Sequence, residues 1–201
     1  MTAVDQALRR LLGARDGHFL FESGHHGSLW LDLDTMVWDP AALTFCLPAL
    51  AETVRAVGVD LIVGPLVGGA LIGYRIAEQL GLPFTYAEPD GNNVEGLYSA
   101  RYRLPPAIHS RVAGRRVAII DDVINAGSAV RAASATVRAA GGDTVLIAAL
   151  VRLGETAVGH PDLAGVRMHA LTTWPNTLWE PARCPWCARG LPLDTPGFPR
   201  G

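Results

Sequence analysis

The sequence predicts an α/β fold, a mostly parallel β-sheet flanked by helices. Short apolar, β-branched runs alternate with helical stretches along the chain, which is the pattern of βαβ units. Two of those stretches stop at glycine, one at Gly81 and one at Gly141-Gly142, as a left-handed C-cap requires. The run 117–120 is followed at once by two carboxylates and a turn of small residues, so a strand there passes into a helix.

Taken in order, residues 1–15 repeat apolar side chains at helical spacing (Val4, Ala7, Leu8, Leu11, Leu12) with Asp5 near the start. That is a surface helix; a secretion signal would need a cationic start and a longer apolar run. Residues 18–36 predict a small separate β element. A helix is expected over 40–57, a strand over 61–64, a helix over 69–81 and a strand over 84–87. The apolar stretch from Leu61 to Tyr74 is broken by Gly64, Pro65, Gly68 and Gly69, so it cannot span a membrane. Residues 89–114 carry three prolines and no periodicity, which marks either a functional lid or a disordered loop. Strands over 117–120, 144–151 and 166–171 follow, with a helix over 128–140 and an irregular tail over 174–201.

With 201 residues, 49% hydrophobic and 18% charged, the chain can bury a full core and reads as a single domain. Its net charge of -2 gives no bulk attraction to nucleic acid or anionic membranes, and neither is expected as a partner. All 17 basic residues are arginine, so no lysine can form a Schiff base or grip a phosphate. Three cysteines and no leader argue against a disulfide framework and for a cytoplasmic location.

The stretch from Val117 to Val130 holds the chemistry. The apolar strand ends in Asp121-Asp122, and the turn Asn125-Ala126-Gly127-Ser128-Ala129 opens a helix. Ligands of open α/β sheets lie at the carboxyl ends of strands, and the backbone N–H groups of a helix N-terminus form an anion site. Asn125 and Ser128 can add side-chain donors to a phosphate. Two adjacent carboxylates would repel that phosphate unless they contact vicinal hydroxyls or Mg²⁺. Phosphate, diol and metal together describe a ribose phosphate, whereas the competing reading is an ordinary helix-capping turn. The turn is not a Walker A loop, and the chain has no Gly-x-Ser-x-Gly elbow.

This stretch resembles the phosphoribosyl-pyrophosphate signature of type I phosphoribosyltransferases, in the form carried by orotate phosphoribosyltransferases. Phe21-Glu22-Ser23-Gly24 resembles the family's amino-terminal base-side segment, and Gly64-Pro-Leu-Val67-Gly68-Gly69 its pyrophosphate loop. Ala149-Leu-Val-Arg152 resembles the strand whose arginine holds the orotate carboxylate, and Cys184-Pro-Trp-Cys187 the tail of one bacterial branch. The resemblance implies a Rossmann-like core over about 39–152, a small hood from about 1–38 and 153–201, and a symmetric homodimer. It implies transfer from phosphoribosyl pyrophosphate to orotate with Mg²⁺ carried by the substrate and touched by Asp121 and Asp122 through water. Ser23, Gly24 and Arg152 would hold the base, and Val67, Gly68 and Gly69 the pyrophosphate. Asp121, Asp122 and the turn 125–129 would hold the ribose phosphate. Arg101 and Arg103 would close over the pyrophosphate, where the family normally uses lysines. Glu22 and Gly68 also stand where relatives carry lysine.

Competing readings remain at several of these positions. Gly68 and Gly69 could serve helix–strand packing, Arg101 and Arg103 could be a solvated pair, and Arg152 could make a structural salt bridge. Cys184 and Cys187 have the spacing of half a zinc site without a second pair, so they form either a turn of reduced thiols or a site shared with a histidine or another chain. His25-His26 is expected at the surface, because adjacent side chains on a strand point apart. Two alternatives to orotate transfer are a phosphoribosyltransferase for another base and a non-catalytic regulator that binds the donor.

Overall fold

The structure is a computed structural model that describes residues 2–21, 24–91, 101–155 and 157–196. In chain order its elements begin with α1 (Ala3–Leu11), β1 (Arg15–Leu20), β2 (His26–Trp30), α2 (Asp34–Trp38), α3 (Leu47–Val57), β3 (Leu61–Pro65), α4 (Gly68–Leu80) and β4 (Phe84–Pro89). They continue with β5 (Tyr102–Arg103), α5 (His109–Val112), β6 (Arg116–Ile124), α6 (Ser128–Ala139), β7 (Asp143–Leu153), β8 (Arg167–Trp174), β9 (Leu178–Trp179) and α7 (Pro185–Ala188). The chain divides into two compact units, one of Met1–Trp38 with Pro175–Gly201 and one of Asp39–Trp174.

In the first unit, α1 starts on a capping box. Thr2 accepts from the Asp5 backbone at 3.1 Å, and Asp5 accepts from the Thr2 backbone at 2.9 Å, so donors left over at the helix start are satisfied reciprocally. β1, β2 and β9 form an antiparallel sheet. The β1–β2 register shifts between Asp16 and Phe19. A bulge of this kind re-aims a side chain, and here His18 and Phe19 are both buried although they are neighbours. His26, expected at the surface, is also buried, at 6% exposed, since the side chains of β1 and the tail crowd its face of the hairpin.

The second unit is a six-stranded sheet in the order β5-β4-β3-β6-β7-β8. All neighbours are parallel except β5, which runs antiparallel at the edge. The parallel strands alone are ordered 2-1-3-4-5, the doubly wound arrangement, and the order reverses between β3 and β6. β3, β6 and β7 are buried along almost their whole length, as parallel strands covered on both faces must be. Leu61, Val63, Val117, Ile119, Val130, Val137 and Ile147 lie in one core cluster beneath α6.

Three expectations change. The helix expected over 40–57 begins only at Leu47, with Pro48 in its first turn, while Pro40–Leu43 is a separate 3-10 turn capped by Asp39. Proline fits a helix start and not its interior, so two prolines split one run. The strand expected over 117–120 runs on to Ile124, because β7 continues beside it and pairs Asp121 with Ala149 and Ile124 with Arg152. Both carboxylates therefore belong to the strand and not to the turn. The supposedly structureless 89–114 contains the β4–β5 pairing, a 3-10 turn at Pro106–Ile108 and α5. Leu104 and Val112 anchor it in the core at 1% and 0% exposed. Its central portion, 92–100, lies outside the described residues. Among the described residues no helix is long and apolar enough to cross a membrane.

Candidate functional site

Asp121 and Asp122 lie in the carboxyl-terminal half of β6 at 7% and 9% exposed. Asp121 Oδ1 accepts from its neighbour's backbone N–H at 3.0 Å, and Asp122 Oδ1 accepts from Val123 N–H at 2.6 Å. Burial, and then the charge of Asp122, pushes the Asp121 carboxyl well above the ordinary carboxylate range. Burial also raises Asp122, while the bond from Val123 N–H works the other way. Two adjacent buried carboxylates resist ionising together, and hydroxyl donors or a cation would hold them charged.

Two helix N-termini face the reversal point of the sheet. α6 starts after Gly127, whose φ of +79° suits glycine. Its first i→i−4 bond, from Arg131 N–H to Gly127, leaves the N–H groups of Ser128, Ala129 and Val130 ahead of the ladder. α4 likewise starts after Val67, with Leu71 N–H the first to bond back. Neither helix has a side-chain cap, so the positive ends of both are open to an anion.

The glycines set how closely these parts approach. A Cβ on Gly64 would lie 2.4 Å from Ala70 Cα, and one on Gly69 would lie 2.7 Å from both Asp121 Oδ1 and Ile120 O. Gly69 is thus needed for packing α4 onto β6, the competing reading of that residue. Gly68 is half-buried, Val67 is 66% exposed, and the Leu66–Val67 peptide is cis. At Gly127 a Cβ would meet the Ala157 Cβ at 2.9 Å.

Arg152 lies on β7 in register with Ile124, one strand away from the turn. Its Nη2 donates to Glu155 Oε1 at 2.7 Å, but Nε is buried with no partner among the described residues. The salt bridge expected as an alternative is therefore present, and it leaves one donor over. Arg103 pairs with Glu88 at 3.0 Å, and Arg101 is exposed. Tyr102 between them was not singled out by sequence. Its phenol is pushed up by burial and then by the charges of Asp121 and Asp122, which places it within electrostatic reach of both. Gly24 sits in the β1–β2 turn of the first unit with φ +76°, while Ser23 lies outside the described residues. The second unit thus gathers the turn 125–129, both aspartates and 67–69 around one strand end.

Residues 49–180 match the phosphoribosyl transferase domain. The chain is 32% identical over 181 residues to an orotate phosphoribosyltransferase of Pelotomaculum thermopropionicum, covering 90% of this chain and 88% of the relative. It is 29% identical to the orotate phosphoribosyltransferase of Wolinella succinogenes, covering 96% of each. Among solved structures it resembles adenine phosphoribosyltransferase from Thermoanaerobacter pseudethanolicus with a TM-score of 0.68 at 22% identity, over 86% of this chain and 100% of the other. Orotate phosphoribosyltransferase from Aeropyrum pernix also gives 0.68, at 23% identity over 85% and 93%.

Proposed function

The chain belongs to the phosphoribosyl transferase domain family, and from that premise we propose that it transfers the 5-phosphoribosyl group of phosphoribosyl pyrophosphate to orotate, giving orotidine 5'-monophosphate and pyrophosphate. The carrying observation is the pair of buried carboxylates on β6 between two uncapped helix N-termini. The turn 125–129 takes the 5-phosphate, Asp121 and Asp122 take the ribose hydroxyls, and 67–69 takes the pyrophosphate. The orphaned Nε of Arg152 supports a base that bears a carboxylate, since a planar guanidinium grips such a group through paired bonds. The names of the relatives support orotate, whereas the structural neighbours include adenine enzymes, so the base is the finer part of the reading.

The reaction needs no protein nucleophile. The bond from ribose carbon 1 to pyrophosphate breaks, positive charge grows on the ring, and a base nitrogen attacks. The protein therefore acts by positioning and by stabilising the charge of the leaving group. Buried Asp121 and Asp122 lie beside the developing positive charge, and the N–H groups of α4 face the departing oxygens. We propose that Arg101 and Arg103 close over the pyrophosphate of the donor. The family implies Mg²⁺, and two adjacent buried oxygen-donor carboxyls, which a nearby cation would hold ionised against burial, fit a hard cation reached through water. Mg²⁺ bound with the substrate supplies charge neutralisation on the pyrophosphate. We also read the chain as a homodimer, because Leu71 and Tyr74, at 44% and 54% exposed, leave an apolar stripe on α4.

Turnover is followed by the fall in orotate absorbance with the donor and Mg²⁺. Consumption of orotate supports the proposal. Turnover with adenine alone sinks the choice of base while leaving the transfer standing. Binding of the donor by calorimetry, with no turnover for any base, would leave a regulator as the answer.

A further inference from the structure

The first unit gathers four donor atoms to which the proposed transfer assigns no role. Nε2 of His18, Nδ1 of His26 and the Sγ atoms of Cys184 and Cys187 all lie within 4.8 Å of one another. The two nitrogens are 3.2 Å apart. His18 Nε2 is 3.3 Å from Cys184 Sγ and 3.8 Å from Cys187 Sγ, and His26 Nδ1 is 3.2 Å from Cys187 Sγ. A tetrahedral zinc with bonds of about 2.3 Å to sulfur and about 2.0–2.1 Å to nitrogen sets its ligand atoms about 3.3–3.8 Å apart. Of the four separations, 3.3 and 3.8 Å fall in that range and the two of 3.2 Å lie just below it, so small shifts of the side chains suffice to seat the ion.

The orientation of His18 is a second and independent observation. Its Nδ1 lies 3.1 Å from Leu191 O. A carbonyl only accepts, so Nδ1 carries the proton and Nε2 turns a lone pair towards the cluster. A backbone acceptor on the far nitrogen is the usual support of a metal-bound histidine. Trp186 adds an edge-on ring 5.5 Å from His18 and 5.2 Å from Trp179, an apolar wall beside the donors.

The fold builds this arrangement on purpose-made local features. The bulge in β1 turns His18 inward next to Phe19, and β2 delivers His26 beside it. Cys184 caps the start of α7 and Cys187 lies within its single turn, and Gly190 closes that turn by donating to Cys187 O at 2.9 Å. The tail is held along β1 by the bonds from Leu20 N–H to Asp194 O and from Asp194 N–H to His18 O, at 2.9 and 2.8 Å.

We propose that His18, His26, Cys184 and Cys187 form a structural zinc site that ties the carboxyl-terminal tail to the amino-terminal hairpin. Two thiolates and two imidazoles are the donor set of closed structural zinc sites, with no position left for a catalytic water. Zinc displaces the two thiol protons as it binds, and no oxidant or reductant is needed. The spacing of Cys184 and Cys187 alone could not show this, because the histidines come from more than 150 residues away.

The full chain, expressed in zinc-supplied medium and desalted, should carry about one zinc per chain by elemental analysis, as a four-ligand site requires. Cobalt added to chelator-stripped protein should give the thiolate charge-transfer and visible bands of a tetrahedral site. Cys187→Ser is the cleanest variant, because Cys187 is exposed and little packing is lost with it. It should retain less than about a tenth of the zinc and lose the thermal stabilisation that zinc restores to the stripped wild type. A folded wild type with under about a tenth of a zinc per chain and no cobalt spectrum overturns the proposal, and so does a Cys187→Ser protein that keeps its full zinc complement.

Discussion

Asp121 is held in its place at a cost in stability. An aspartate of an unfolded chain titrates near about 4, and the folded value stands well above that. Between the two, the native state keeps a proton that the unfolded state has lost, so stability falls as pH rises through that window and stays lowered above it. Asp121→Asn should therefore melt higher at neutral pH, by roughly 2–4 °C for each kcal/mol relieved in a chain of this size. The same variant should lose about 10–150-fold in kcat/KM, since a hydrogen bond to a charged group is worth about 1.5–3 kcal/mol. Calorimetry and turnover on one preparation test both; a variant that is active and no more stable would show that Asp121 is neither strained nor used. The acid limb of kcat/KM for the donor should lie above the ordinary carboxylate range for the same reason. The place of Asp121 and Asp122 at a strand end was legible because the full pattern, an apolar strand, paired carboxylates and a small-residue turn, is more specific than a carboxylate pair, which alone often just caps a helix. Tyr102 and His18 were not legible, because their partners stand far off in sequence or depend on a bulge that no local pattern announces.

Helix α4 shows what a pattern conveys about an element and what it leaves out. Its period and its glycine stop at Gly81 were readable, as was the β3 run before it. The reason for Gly69 was not, because a glycine that faces a ligand and one that faces a strand look alike in sequence. The structure puts Asp121 Oδ1 and Ile120 O where the Cβ would go. Gly69→Ala should therefore cost about 1–3 kcal/mol, the range for overpacking a filled core, and should move Asp121 off its geometry. Chemical denaturation should show a lowered midpoint at unchanged slope. Stability equal to wild type would mean that the start of α4 can lift from β6. Strand ends were the harder limit: β6 gains its last four residues, 121–124, from pairing with β7, a contact between segments that composition cannot reveal. β5 is two residues long and has no period to detect.

The division of the chain into two units carries the last consequence. Asp39–Trp174 is one continuous stretch, and it contains the whole parallel sheet, the core cluster and the strand end that bears Asp121 and Asp122. The other unit is assembled from both ends of the chain, so neither of its segments has a complete sheet or a complete set of zinc ligands alone. That the sheet is mostly parallel was legible from the alternation of runs, whereas the strand order was not, because it depends on pairings between segments apart in sequence. A unit built from separated ends could not be read from local patterns, since its pairing joins β2 to β9 across most of the chain; the hood expected over about 1–38 and 153–201 came from the family resemblance alone. A fragment of residues 39–174 should therefore keep the helix and sheet signature of the parent by circular dichroism. It should bind ribose 5-phosphate within about tenfold of the full chain, a difference of about 1.4 kcal/mol. Binding weaker than that in a fragment that still melts cooperatively would mean that the phosphate pocket draws on the terminal unit. A fragment without a cooperative transition would mean that the sheet depends on the terminal unit for its own stability.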